Sequence, residues 1–192
     1  MAAVGHTSLS KFKSALTYGG ARPSLFDFTV TAAPGEVSDS LSDVRLYCNV
    51  SALPGMTLTP IERQYFGRTV KIPGDIVFGD LTTTIYQTEK GDERFNIESW
   101  MDQINSHVSN KSELDSTSTA NFMGKYSSTG TLKQYNKAGD TAPLSTVDFV
   151  DMWPQTVAEI ALSYDTASDL EQFDVTWAYN HYSVKIGSTL YS

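Results

Sequence analysis

Hydrophobic and polar residues alternate with a period of two along much of the chain, a pattern typical of half-buried β-strands. The clearest case is LEQFDVTWAYNHY (170–182), where Phe173, Val175, Trp177 and Tyr179 alternate with polar or small residues. Shorter runs that predict further strands lie at 25–30, 43–53 and 75–87. Aromatic and β-branched residues dominate these runs, which favours strands over helices.

Turn-forming residues are predicted to join several of these strands. The segment 130–154 predicts one strand, a turn at KAGD, and a second strand that ends at a Trp-Pro pair. We expect 170–182 to be the second half of a hairpin whose first half is 159–164, with TASD as the turn. After Tyr182 the pattern predicts no further element.

The region between residues 53 and 75 lacks a clear period. LPGMTLTP (53–60) is rich in turn residues, while IERQYFGRTVKIPGD (61–75) carries cationic and aromatic residues interrupted by Gly67. The second segment predicts a projecting hairpin or an irregular loop.

One segment has helical periodicity instead. Five apolar residues of NIESWMDQINSHV fall at i, i+3, i+4, i+7 and i+11, which indicates the apolar face of an amphipathic helix. They are Ile97, Trp100, Met101, Ile104 and Val108. Asn96 is the expected N-cap. His107 near the expected end would contact the last carbonyl groups or face water.

About seven or eight strands and one helix, without regular alternation, predict a mainly β fold: an antiparallel β-sandwich or barrel with one covering α-helix. The 192 residues suit one large domain or a domain with an arm. Gly19-Gly20 separates an N-terminal arm (1–20) from the β domain (21–192).

Charge is distributed unevenly around this boundary. The chain has a net charge of −8, yet residues 1–24 contain three basic residues and no acidic one. The remainder holds 11 basic and 22 acidic residues, a net charge of −11, which argues against tight binding to DNA phosphates. Two interpretations of the basic arm remain open: a disordered tail, or a segment that lies on an acidic neighbour.

Motifs for enzyme chemistry are absent from the sequence. It contains no phosphate-binding loop, no glycine-rich dinucleotide motif and no nucleophile elbow. His6, His107 and His181 lie far apart, and with one cysteine a zinc site is not expected. Cys48 lies in a strand-like run and is predicted to be a small buried hydrophobe. We therefore expect no enzyme activity, no metal and no cofactor.

Neither a signal peptide nor a membrane span is predicted. The first twenty residues lack an apolar core, and no run of about 18 apolar residues occurs. The tryptophans leave open a function of another class, a carbohydrate-binding β-sandwich. Because Trp100 and Trp177 lie on predicted apolar faces, core packing is the favoured interpretation of both.

Three stretches together resemble one protein family. They are ARPSLFDFTV (21–30), YFGRTVKIPGDIVFGDLTTTIYQ (65–87) and the region from LKQYNKAGD to the end of LEQFDVTWAYNHY (132–182). In this order they resemble the tail tube protein of contractile-tailed bacteriophages. The chain departs from that family in a longer arm and a longer Ser/Thr-rich insert around 109–130.

The resemblance implies a structural virion protein, assembled in the host cytoplasm. Six copies would form a ring, and rings would stack as an inner tail tube inside a sheath. Strands of neighbouring subunits would close into one barrel around the lumen, using exposed edge strands such as 170–182. Expected partners are further copies of the chain, the sheath protein, and baseplate and tail-terminator proteins. Genome DNA would pass through transiently, and a tube-initiating baseplate ring of the same fold remains the alternative.

Two sets of residues are predicted to make the contacts between subunits. Contacts between rings are expected at Arg63, Tyr65, Phe66, Arg68 and Lys71. Contacts by the arm are expected at Lys11, Phe12, Lys13, Leu16 and Arg22. Ser10 would cap a short helix in the arm, which we expect to be mobile in the isolated subunit and ordered in the tube.

Overall fold

The structure is a computed structural model that describes residues 9–16, 20–31, 47–109, 111–112, 125–137, 142–166, 169–187 and 189–191. Those residues form ten strands, two α-helices and one 3₁₀ turn. The strands are β1 (Phe26–Thr31), β2 (Cys48–Val50), β3 (Met56–Tyr65), β4 (Arg68–Phe78), β5 (Leu81–Tyr86), β6 (Ser128–Gln134), β7 (Ser145–Val157), β8 (Gln172–Ala178), β9 (His181–Ile186) and β10 (Thr189–Tyr191). The helices are α1 (Leu9–Ala15) and α2 (Asp92–Ile104), and the 3₁₀ turn is Tyr164–Thr166.

Several predictions fall partly outside the described residues. They concern the first part of the strand at 43–53, most of the insert around 109–130, and most of the KAGD turn.

Eight strands form one antiparallel, nearly closed sheet in which β7 changes partners along its length. The strand order is β1-β6-β7-β8-β5-β2, and β9 and β10 branch from β7. The first half of β7 pairs with β6 and β9, whereas its last residues pair with β8. The change of partner follows Asp151, whose positive φ of 56° bends the strand. Asn180 Nδ2 donates to the Asp151 carboxylate at 2.9 Å, which ties the bend to the β8–β9 turn.

The core lies inside this sheet and under α2. Phe28 of β1 packs against Trp177 of β8, with ring centroids 6.1 Å apart. Trp100 of α2 packs against the same indole at 6.0 Å. Both tryptophans are fully buried and both donate their indole N–H groups, Trp100 to the Tyr126 carbonyl and Trp177 to the Thr83 hydroxyl. The expected antiparallel β-sandwich or barrel with one covering helix is confirmed in its barrel-like form, and so is core packing of these tryptophans.

The covering helix begins earlier than predicted. It starts at Asp92 after Gly91, whose φ is 74°, so Asn96 lies inside the helix and is not its N-cap. The buried Glu93 carboxylate accepts hydrogen bonds from the Thr88 N–H and hydroxyl at 3.1 and 3.0 Å. This acidic first turn stabilises the helix start. The predicted apolar residue Val108 lies beyond the helix end and is 98% exposed.

His107 also lies past the end of α2. Its side chain is largely exposed, and Nδ1 is 2.8 Å from the Asp102 carboxylate. The His107 backbone N–H donates to the same carboxylate. The expected exposure to water is confirmed, and the contact is with a side chain of the helix.

The predicted partner of the strand 170–182 was wrong. Residues 159–164 do not form a strand, and β8 pairs instead with β5 on one side and with the end of β7 on the other. The physical reason is that β7 continues to Val157, because a register shift between Pro154 and Thr156 accommodates the proline. Consequently β8 is an internal strand and cannot serve as an assembly edge.

The end of the chain was also predicted incorrectly. Residues after Tyr182 complete β9 and form β10, whereas no further element was expected. Tyr182 and Val184 pair with Phe149 and Val147 of β7, so the residues of β9 continue the core-facing pattern of their neighbour. Among the described strands, β1 pairs only with β6, β2 only with β5 and β10 only with β9, which leaves these three at edges of the sheet.

Candidate assembly surfaces

β3 and β4 form a hairpin that pairs with none of the other described strands. All ten residues of β3 are exposed, and in β4 only Gly74 and Phe78 are partly covered. The projecting hairpin expected at 61–75 is confirmed. The turn-rich interpretation of 53–60 is wrong in its second half, because β3 already begins at Met56 and runs through Pro60.

The pairing register gives this hairpin two different faces. One face, here called the arginine face, consists of Ile61, Arg63, Tyr65, Arg68, Val70 and Ile72, because residues directly opposite in an antiparallel pair share a face. The opposite face carries Met56, Leu58, Glu62, Lys71 and Ile76. Both faces therefore combine apolar residues near the base with charged residues near the tip.

Four of the five residues predicted to contact the next ring lie together. Arg63, Tyr65 and Arg68 share the arginine face, and Phe66 occupies the tip, where it is 91% exposed. The Tyr65 and Phe66 rings meet edge to face at 4.7 Å. Lys71 is separated from them, because it lies on the opposite face with its ammonium group 3.6 Å from the Glu62 carboxylate.

Sequence reasoning missed the apolar part of this hairpin. Ile61, Val70 and Ile72 on the arginine face are each 46% exposed, and Leu58 and Ile76 on the other face are about half exposed. Alternation of Ile61, Arg63 and Tyr65 with polar residues was a usable strand signal. Pro73, Gly67 and Gly74 in IERQYFGRTVKIPGD favoured a loop instead, because such residues usually mark loops.

Gly74 allows the two strands of the hairpin to approach at a bulge. A Cβ at this position would lie 2.5 Å from the Thr59 carbonyl oxygen and 2.9 Å from Ile61 Cγ1. We expect Gly74→Ala to disturb the hairpin by about 1–3 kcal/mol, as overpacking does, without unfolding the body. Hydrogen exchange should become faster in 56–78 only. Gly79→Ala is the matched control, since nothing lies within 4 Å of its Cβ position. Unchanged exchange in both variants would contradict the assigned bulge.

The arm carries a short amphipathic helix in the single chain. Leu9, Phe12 and Leu16 lie at i, i+3 and i+7, and their side chains are 68%, 57% and 41% exposed. Lys13 is exposed beside this stripe, whereas Lys11 is exposed on the far face of the helix. The short helix expected in the arm is present at Leu9–Ala15. Its ordering by a partner stays a prediction, because a helix of seven residues gains little stability by itself.

Two further predictions about the arm need correction. Ser10 lies inside α1, which begins at Leu9, so Ser10 is not an N-cap. Arg22 is separate from the other four predicted arm residues, because it lies in the extended segment before β1, where its carbonyl accepts a hydrogen bond from Gln134.

Titratable groups suggest no reactive centre in the described part of the chain. Burial, with a smaller effect of Asp27, raises the pKa of the Cys48 thiol to about 12, so the half-buried cysteine stays protonated at neutral pH. Burial also raises the pKa of Tyr179, with Tyr182 and Asp80 contributing. The described residues contain no group of three or more potential metal ligands. None of the described helices is long and apolar enough to cross a membrane.

Comparison with known proteins identifies the family. A sequence profile described as phage tail tube protein matches residues 10–185. The chain belongs to the phage tail tube protein family. It is similar to the tail tube protein gp19 of Enterobacteria phage T4, with 24% identity over 162 residues that cover 84% of this chain and 90% of that relative.

Solved structures show the same fold. The tube-terminating cap of the anti-feeding prophage has a TM-score of 0.63 at 14% identity, covering 97% of this chain and all of that one. A chain of the PVC sheath-tube complex, from an extracellular contractile injection system in the extended state, has a TM-score of 0.60 at 17% identity over 94% and 99% of the two chains. The resemblance seen in the sequence is confirmed: the protein is a structural tail tube protein located in the virion tail.

Proposed function

We propose that this tail tube protein assembles into hexameric rings that stack as the inner tube of a contractile tail. The observation that carries the proposal is the uncovered β3–β4 hairpin. Its apolar residues on both faces remain about half exposed in the single chain, and exposed apolar surfaces of this kind mark interaction sites. A neighbouring copy in the next ring would cover the arginine face.

The open edges of the sheet would provide the contacts within a ring. β1 and β2 each pair on one side only, and unpaired strand edges favour pairing with another chain. Ring closure would remove these edges. In this arrangement 21–192 form the tube wall, and the arm at 1–20 reaches from it to a neighbour.

The acidic body has a role in this proposal. Genome DNA would pass through the tube during ejection, and a negative wall repels phosphates at close range. The net charge of −11 outside residues 1–24 supports passage without adhesion. Further proposed partners are a sheath protein, a tail terminator and the baseplate. The fold similarity to a chain of a sheath-tube complex and to a tube-terminating cap supports these partners.

The proposed activity of the protein is polymerisation, so the proposal includes no catalytic step, no cofactor and no metal. The carbohydrate-binding alternative loses support because Trp100 and Trp177 are fully buried and cannot stack on a sugar. A tube-initiating ring remains the second candidate within the family, supported by the similar fold of a chain from the anti-feeding prophage baseplate.

Electron microscopy and sizing of the purified protein test the proposal. We expect rings at low concentration and hollow tubes as concentration rises, because each hairpin contact is repeated around the ring. A baseplate initiator would stop at single rings. A protein that stays monomeric at every concentration would contradict assembly in either form.

A further inference from the structure

An apolar groove lies on the connection between β7 and β8. It has a volume of about 660 Å³, and its walls include Ile160, Leu162, Tyr164 and Leu170. The Leu162 and Leu170 side chains are 85% and 74% exposed, and Tyr164 is fully exposed. Large apolar side chains that line a groove but remain uncovered favour docking of a partner.

The base of the groove is fixed to the sheet. The Ala158 N–H donates to the Asp174 carbonyl at 2.8 Å, and the Gln87 N–H donates to the Glu171 carbonyl at 2.9 Å. Arg94 Nη1 donates to the Ala158 carbonyl at 2.7 Å. The groove is therefore anchored on both sides to β5, β8 and α2.

The rim of the groove is acidic. Asp169 and Glu171 line it, and the segment 158–172 contains four acidic residues and no basic one. The nearby Arg94 guanidinium is already engaged by Glu98 at 2.7 Å. A partner that combines an apolar stripe with lysines would match both the walls and the rim.

We propose that α1 of a second copy of the chain docks in this groove. Leu9, Phe12 and Leu16 would cover the apolar walls, and Lys13 beside the stripe would face Asp169 and Glu171. The stripe and the groove are both exposed in the single chain, and their flanking charges are opposite in sign. The proposal rests on the self-assembly proposed above and specifies where the arm of one subunit meets the body of another.

Two other arrangements fit less well. A second apolar groove, lined by Leu53, Leu144 and Ile186 among others, has no acidic residue in its walls to match the lysines. The hairpin tip also carries cations, but the apolar residues of the hairpin lie on two opposite faces, and a single groove can cover only one of them.

Cysteine cross-linking between two separately prepared variants tests the docking directly. Leu9→Cys places a thiol at one end of the stripe and leaves Phe12 in place, and Ser163→Cys places one in the groove wall. After equal mixing, assembly and mild oxidation at pH 8, we expect about tenfold more covalent dimer than in the control pair, because docking holds the thiols at high effective concentration. The control pairs Leu9→Cys with Ser145→Cys in the second groove. Native Cys48 stays protonated under these conditions, because its pKa is about 12.

Electron microscopy of the same samples separates the two proposals. Tubes or rings without the Leu9–Ser163 link would overturn the docking and leave the tube intact. Absence of any assembly would overturn both. An intrachain link in a dilute variant that carries both Leu9→Cys and Ser163→Cys would show that the groove holds the chain's own arm. A stronger link from Phe66→Cys to Ser163→Cys would show that the groove holds the hairpin. Either result overturns the proposal.

Charge reversal gives an independent measurement. Asp169→Lys with Glu171→Lys should raise the critical concentration for assembly about tenfold at low salt, because two exposed attractions become repulsions. Adding Lys13→Glu in the same chain should lower the critical concentration again toward the parent value. Failure of this compensation, with the reversed variant still impaired, would contradict the assigned pairing.

Discussion

Replacing Trp100 with alanine is expected to lower the free energy of unfolding by about 3–5 kcal/mol, the usual cost of removing a large buried side chain. The indole is fully buried between α2 and the sheet, 6.0 Å from the Trp177 ring. Its N–H also donates to the Tyr126 carbonyl at 2.9 Å, so alanine would leave a cavity and remove this hydrogen bond. Denaturant unfolding followed by circular dichroism measures the loss.

Two further variants separate the contributions at this site. Trp100→Phe keeps most of the volume and loses the hydrogen bond, so its cost should be clearly smaller than that of alanine. Val108→Ala is the control on the same predicted helix stripe, and we expect no measurable change because Val108 is 98% exposed beyond the helix end. If Trp100→Ala unfolded at the same denaturant concentration as the parent, α2 would not cover the core as described.

Local patterns predicted elements better than their partners. The alternating residues of β8 and the helical period of α2 each come from neighbouring residues that must share one buried face, so both elements could be found in the sequence. Pairing depends on residues far apart in the chain. At Asp151 the strand β7 bends and changes partner. This bend involves one positive φ and hydrogen bonds from Ser127 and Asn180, which no local pattern predicts.

The assembly surfaces were predictable to different extents. Clustered arginines and aromatic residues marked the hairpin tip, but only the pairing register shows that Lys71 lies on the opposite face from Arg68. The segment at 159–164, which forms part of the groove wall, was predicted to be the first strand of a hairpin, because EIALSYD resembles a strand in composition. This segment stays exposed because the end of β7 pairs with β8 in its place.

Reversing the charge of Arg68 is expected to abolish tubes while the subunit stays folded. Arg68 lies opposite Tyr65 at the end of the arginine face, in a hairpin that pairs with none of the other described strands, so Arg68→Glu should leave the core intact. Anchors of this kind at interface centres cost about 2 kcal/mol or more when they are lost. Because every subunit of a ring makes this contact, the free energy of stacking one ring on the next should weaken by several times that amount.

Lys71→Glu is the matched control, because it makes the same charge change on the opposite face of the same hairpin. If the arginine face meets the next ring, this variant should still form tubes, with at most a modest rise in the critical concentration from losing the exposed pair with Glu62. Circular dichroism checks folding, and electron microscopy with pelleting measures tube yield. Normal tubes from Arg68→Glu would remove the arginine face from the ring contact. Loss of tubes in both variants would place both faces at interfaces, in which case a neighbouring copy encloses the hairpin instead of covering one side.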